Sequence, residues 1–254
     1  MMGKPSDIRP GSQVVQAENA LVIFAKAPIA GEVKTRLCPP LTHDEAATLH
    51  GSFVLDMLER TKAAMERWKL PFDRYLACAP SSQHVFFKIL EERHRVRLID
   101  QLGADLGARM REACSATFDR GHKRLVLVGT DVPTLPLEHY RKAAALLEGH
   151  DVVLGPAWDG GYYLLGLSKR ADGLFDDIPW SADRVFRLTC ERAESLGLRV
   201  ACLPEWRDVD TIDDLIMLIE AGARDMTLPK AERQFSARTA GTLQLLAKRI
   251  RSRA

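Results

Sequence analysis

Short β-rich apolar runs recur along the chain, and helical patterns fill most of the gaps between them. The runs are Leu21–Ala25, Tyr75–Ala79, Val96–Ile99, Leu125–Val128, Val152–Leu154, Tyr162–Leu167 and Val200–Leu203. The helical patterns cover Asp44–Trp68, Gln83–Arg93, Asp105–Phe118, Pro136–Leu147, Ala182–Leu196 and Ile212–Ala221. In the first of these, Leu49, Phe53, Met57, Ala64 and Trp68 fall near one face. Thr42 with Glu45, and Thr211 with Asp214, have the spacing of N-terminal capping signals. Pro136 suits the first turn of its helix. Strands alternating with helices predict a mostly parallel sheet covered on both faces. The Asp159–Gly161 turn joins two strand runs with no helix between them, which predicts an antiparallel element grafted onto that sheet.

A chain of 254 residues is enough for one large α/β domain and marginal for two. Residues 1–19 read as a flexible leader, 20–222 as the folded domain and 223–254 as a basic tail with helical potential. Lys230 to Ala254 holds seven Lys/Arg and one acid, a charge of +6, so the rest of the chain carries 2 − 6 = −4. Such a tail is expected to be a solvated amphipathic helix or a frayed end, and Leu243, Leu246 and Ile250 offer a docking face. The net charge of +2 points to no particular partner, and no specific nucleic-acid binding is expected. Five cysteines without a CxxC pair argue against a disulfide framework or a structural zinc site. Cys78 and Cys202 lie in apolar runs and are expected in the core. The first twenty residues have no signal-peptide core, and no run approaches the ~18 apolar residues of a membrane span. The expected location is the cytoplasm.

Ligands of open α/β sheets bind outside the carboxyl ends of the strands, so residues just after the strand runs carry the functional reading. After the first run come Lys26, Gly31, Lys34 and Arg36. Lys and Arg there suit a phosphate-bearing ligand, although a solvated loop would also hold such cations. After Leu125–Val128 comes Gly129–Thr130–Asp131–Val132–Pro133. Asp131 is placed to bind Mg²⁺ or Mn²⁺, cations that take oxygen ligands from carboxylates and phosphates; the plain alternative is a turn cap. The third segment is Gly155–Pro156–Ala157–Trp158–Asp159–Gly160–Gly161–Tyr162–Tyr163. It reads equally as a turn and as an acceptor site whose glycines let backbone approach a ligand and whose rings pack over it. The fourth is Trp206–Arg207–Asp208–Val209–Asp210. Alternation in an extended segment would send Asp208 and Asp210 to opposite sides, so one of them is expected to face the site. Asp210 with Asp131 would make a two-carboxylate metal site. A weaker signal is Gln101–Leu102–Gly103–Ala104–Asp105–Leu106–Gly107–Ala108–Arg109–Met110, where Arg109 sits in the first turn of a helix whose N-terminus can attract an anion, or which simply follows a loop. No P-loop spacing, G-x-S-x-G elbow or histidine metal spacing is present.

Taken together, FAKAPIAGEVKTRL, DLGARM, GTDVPTL, GPAWDGGYYLLGL and DVDTIDDL resemble the bacterial "domain of unknown function 2064" proteins. These are often called arsenosugar-biosynthesis or radical-SAM/selenodomain-associated glycosyltransferases. The resemblance runs from about Leu21 to Glu220, with the motifs in the family's order. Ala104 stands where glycine is common, and Thr130 and Val132 where Ser and Cys are common; the charged set is unaltered. The family is similar to GT-A glycosyltransferases and to guanylyl- and cytidylyltransferases. The resemblance implies a single-domain GT-A-like three-layer fold and a site for a nucleotide or nucleotide-sugar donor and a small-molecule acceptor. It implies phosphate contacts from Lys26, Lys34 and Arg36, metal ligation by Asp131 and Asp210, and an acceptor-side role for Asp159. Gly31, Arg109, Gly129, Thr130, Gly160, Gly161 and Tyr162 complete the expected binding set. The expected activity is metal-dependent glycosyl transfer. Nucleotidyl transfer, or nucleotide binding without catalysis, are the alternatives. Neither the donor base nor the oligomeric state is legible.

Overall fold

The computed structural model describes residues 17–180, 183–229 and 234–253. Its strands are β1 (Asn19–Lys26), β2 (Phe72–Ala79), β3 (Arg97–Asp100), β4 (Arg124–Gly129), β5 (Val152–Pro156), β6 (Tyr162–Leu167) and β7 (Val200–Cys202). Its helices are α1 (His43–Trp68), α2 (Val85–His94), α3 (Leu106–Asp119), α4 (Glu138–Leu146), α5 (Val185–Ser195), α6 (Ile212–Asp225) and α7 (Ala237–Arg253). The leader expected over residues 1–19 lies outside the described residues up to position 16, as does the expected helix start at Ala182.

The strands form one sheet in the order β3-β2-β1-β4-β6-β5-β7. All neighbours run parallel except β6, which is antiparallel to both β4 and β5. The fold is therefore a single α/β domain with a mostly parallel sheet and one reversed strand, as the alternating pattern and the Asp159–Gly161 turn predict. β1 is buried on both faces, because successive side chains point to opposite sides. Leu21, Ile23 and Ala25 pack with Val54 and Met57 of α1 and Tyr140 of α4. Ala20, Val22 and Phe24 pack with Met110 and Ala113 of α3 and Ala193 of α5.

Both capping signals form. The Thr42 side chain accepts from Glu45 N while Glu45 accepts from Thr42 N, and Thr211 and Asp214 repeat the arrangement. A third apolar cluster joins Leu37, Leu49 and Phe53 to Leu215 and Leu218 of α6 and to Leu243 and Leu246 of α7. Over α7 the basic tail is thus an amphipathic helix docked through Leu243 and Leu246, with Lys248 and Arg249 exposed on its other side. Asp56, buried on α1, accepts from Thr239 Oγ1 and from Arg238 Nη1 at 3.1 Å. Asp225 accepts from the backbone N–H groups of Gln234 and Phe235 at 2.7 and 3.2 Å, fixing the entry to α7. Cys78 is buried as expected, but Cys202 is exposed, because β7 is the edge strand. Among the described residues no helix is long and apolar enough to cross a membrane.

Candidate active site at the strand ends

β1 and β4 deliver their C-terminal residues to one edge of the sheet, and the β5–β6 turn returns to that same edge. There they bound a cleft of about 820 Å³. Lys26, Lys34, Arg36, Gly129, Thr130, Asp131, Asp159, Gly161, Tyr162 and Asp210 all line it. The sequence motifs, spread over most of the chain, therefore converge on one space.

Its centre is Lys34. This residue adopts a left-handed backbone (φ 49°, ψ 35°), uncommon for a side chain with a Cβ and concentrated at functional sites. The turn points a nearly buried ammonium, with the side chain 5% exposed, between two carboxylates. Nζ lies 2.6 Å from Asp131 Oδ1 and 2.8 Å from Asp210 Oδ1, and donates to the Val209 carbonyl at 2.7 Å. The backbone joins the two acids, since Val209 N–H donates to the Asp131 carbonyl at 2.9 Å. Burial works against the Lys34 charge, but Asp131 and then Asp210 outweigh it, and its pKa is held above the usual lysine value. Burial likewise opposes the Asp131 charge, and Lys34 more than compensates, holding its pKa below the usual carboxylate value. Asp131 Oδ1 is sealed, whereas the side chain as a whole is 43% exposed and opens to the cleft. Arg36 is exposed, with Nη1 3.8 Å from Asp210 Oδ2.

The expected divergence of Asp208 and Asp210 does not occur. Residues 207–210 are irregular rather than a strand, so side-chain alternation does not apply. Asp159, Asp208 and Asp210 each place a carboxylate oxygen within 4.8 Å of the others. Burial first, and then Asp159 and Asp210, push the Asp208 carboxyl up to about 7. Asp159 spends Oδ1 on the N–H of Gly161, at 2.8 Å. Two arrangements of hard oxygen ligands thus share Asp210. One is Asp131, Asp210 and the Val209 carbonyl, which already converge on a cation, and the other is Asp159, Asp208 and Asp210. The donor chemistry suits Mg²⁺ or Mn²⁺.

Gly31, Gly160 and Arg109 stand outside the lining. Gly160 (φ +87°) serves packing, because a Cβ there would lie 1.8 Å from the Asp183 carbonyl oxygen. Arg109 Nε donates to the Gly103 carbonyl at 3.1 Å and so closes its own loop. The rest of that motif is also structural. Asp105 caps α3 through Ala108 N, and Gly107 admits the Trp180 indole, which a Cβ would meet at 2.0 Å. Trp180 lines the cleft. Tyr163 is a core residue, donating to the Pro204 carbonyl at 2.9 Å. The exposed ring of this segment is Trp158, with the Arg207 guanidinium 4.1 Å above it.

His50 lines the cleft without any sequence signal, and Gln101 enters it from the head of the weaker motif. His50, buried on α1, has Nε2 3.0 Å from the Lys26 carbonyl and Nδ1 4.0 Å from Asp131 Oδ1. Burial pushes its pKa down, so the ring is neutral at neutral pH. Gln101 donates from Nε2 to the carbonyls of Ala25 and Ala77 at 3.0 and 2.8 Å, tying the ends of β1 and β2 together.

A parallel sheet with this strand-end cleft has the fold of the nucleotide-diphospho-sugar transferases. A crystal structure of a "putative nucleotide-diphospho-sugar transferase" from Desulfovibrio desulfuricans G20 matches it with a TM-score of 0.80. The two are 34% identical over 93% of this chain and 98% of that one. Residues 64–182 match the family described as "uncharacterized protein conserved in bacteria (DUF2064)", and the chain belongs to this family. A cytidylyltransferase from Leptospira borgpetersenii shares the fold at 13% identity, covering 93% of this chain and 96% of that one, with a TM-score of 0.53. A CMP:2-keto-3-deoxy-manno-octonic acid synthetase complexed with CTP does so at 11% identity, covering 82% and 99%, with a TM-score of 0.52. No curated protein matches the sequence.

Proposed function

We propose that this protein is a metal-dependent glycosyltransferase that moves a sugar from a nucleotide-diphosphate donor to a small-molecule acceptor. The observation that carries the reading is one cleft lined by Lys26, Lys34 and Arg36 together with Asp131, Asp159, Asp208 and Asp210. Cations there would meet the donor phosphates, while the acids hold a divalent ion and the acceptor hydroxyl. The 34% identical relative supports a nucleotide-sugar site. Asp131 and Asp210 would hold Mg²⁺ or Mn²⁺. When bound, that ion offsets the charge developing on the departing diphosphate.

The acceptor hydroxyl attacks the anomeric carbon, the bond from that carbon to the phosphate oxygen breaks, and the nucleoside diphosphate leaves with the electron pair. Arg36, with Lys34 once its ammonium turns from the carboxylates, offsets the charge developing on the phosphates. The hydroxyl proton passes to a carboxylate on the acceptor side. Asp159 has its Oδ2 clear of the turn bond and orients the hydroxyl. Asp208 lies beside Asp159, its carboxyl pushed up to about 7 in the metal-free protein by burial and by Asp159 and Asp210.

The test is a thermal-shift screen of nucleotide sugars and nucleoside triphosphates, each with and without Mg²⁺ or Mn²⁺. A ligand of the native state alone raises the melting temperature. A metal-dependent rise with a nucleotide-diphosphate sugar is expected, and Asp131→Asn should abolish the metal-dependent turnover with the fold intact. A rise only with a nucleoside triphosphate would replace the reading with nucleotidyl transfer. Turnover unchanged in Asp131→Asn would remove the metal assignment.

A further inference from the structure

The Lys34 ammonium has three N–H donors, and three oxygens surround it: Asp131 Oδ1 at 2.6 Å, Asp210 Oδ1 at 2.8 Å and the Val209 carbonyl at 2.7 Å. An ammonium offers no fourth donor. Two of its donors are spent on Asp210 and Val209, and its charge is paired with Asp131, so Lys34 reaches a phosphate only by leaving these carboxylates. We propose that Lys34 is a resident stand-in for the divalent cation: its ammonium fills the seat between Asp131 and Asp210, and the metal enters that seat only as Lys34 moves out to the donor phosphates. This rests on the metal-dependent reading above.

Electrostatics require such a stand-in. Two carboxylates facing each other repel unless a counter-charge sits between them, and the Asp131 Oδ1 that faces Lys34 is closed off from water. Lysine suits the task, since its charge rides on a flexible four-carbon stem. Each state is then compensated, with Lys34 on the carboxylates in the free protein, or metal on the carboxylates and Lys34 on the phosphates.

His50 points to the same seat independently. Its side chain is 5% exposed, and Nε2 donates to the Lys26 carbonyl at 3.0 Å, so Nδ1 carries a bare lone pair. Nδ1 is buried without a hydrogen-bond partner among the described residues, and it faces Asp131 Oδ1 across 4.0 Å. None of the Lys34 N–H groups bonds to it. A hydrated cation would bring water protons that do.

The experiment is titration of the full chain with Mn²⁺ alone, followed by the loss of the free-ion electron paramagnetic resonance signal. The wild type is expected to bind weakly. Lys34→Met, which removes the charge and keeps the stem, should bind one ion about tenfold more tightly or better, since a contact-distance positive charge is gone. The gain should vanish in Lys34→Met/Asp131→Asn and be absent in Lys34→Arg, which keeps the charge. Lys34→Gln serves as a second variant whose amide still bonds to the acids, and circular dichroism checks that each variant is folded. Folded Lys34→Met and Lys34→Gln that bind Mn²⁺ no better than wild type would overturn the exchange, as would an equal gain in Lys34→Arg. The thermal-shift screen is a separate readout. A nucleotide-sugar shift without the Lys34→Met gain sinks only the exchange, and the reverse pattern sinks only the transferase reading.

Discussion

Asp208 shares its corner of the cleft with Asp159 and Asp210, and its carboxyl holds a proton up to about pH 7 because burial and those two neighbours resist a further negative charge. The sign of the stability effect follows. The folded-state pKa lies above that of an unfolded aspartate, so ionisation costs nothing below about pH 4 and an increasing amount from there to pH 7. Asp208→Asn should therefore stabilise the metal-free protein at pH 8, by about 1–2 kcal/mol after solvent screening, and have little effect at pH 4. Melting temperatures of both proteins in EDTA at the two pH values check this; an equal effect at both would remove the repulsion. At the same scale, the charged set of the cleft was legible in the sequence. Lys34, Asp131 and Asp210 each follow a strand or precede a helix, where α/β sites gather. Asp208 joins them because residues 207–210 do not form a strand, so side-chain alternation does not hold there. His50 was invisible, since a histidine inside a helical pattern meets Asp131 only through the packing of α1 on β1.

The helices and strands follow from period and caps, and observed limits differ from the expected ones by a few residues. α2 begins at Val85, with the His84 ring accepting from Phe86 N, a cap that the sequence does not advertise. α7 shows where charge counting misleads. Its positive face is solvated, but Leu243 and Leu246 enter the cluster of Leu37, Phe53 and Leu215. Leu243 is 2% exposed, and its Cδ1 lies close to where a Cβ on Gly222 would stand, at 3.0 Å. Leu243→Ala should destabilise the protein by about 2–4 kcal/mol, the usual cost of a buried leucine plus its cavity. Urea denaturation measures it, and a change under about 0.5 kcal/mol, typical of surface sites, would mean that α7 is not docked in solution.

Across the whole molecule, alternation of strands and helices was sufficient to predict a mostly parallel sheet, and the Asp-Gly-Gly turn located its reversal. Strand order was not legible, because order depends on which side each crossover takes. The insertion of β6 between β4 and β5 is what returns Asp159 to the edge where β1 and β4 end. Stability should follow this plan. β1 and β4 are central and buried on both faces, while the 207–210 segment is irregular and partly exposed. Amide hydrogen exchange should be slowest in β1 and β4 and markedly faster in 207–210 without ligand. Uniform protection would contradict a pliable acidic wall. Leu37, three residues beyond Lys34, shares its core with α7, so the turn that carries the ammonium and the end of the chain rest on one foundation. A ligand that fastens that turn must also slow the peeling of the last helix. A carboxypeptidase chewing inward from the C-terminus would then act as a clock for occupancy of a cleft it never enters.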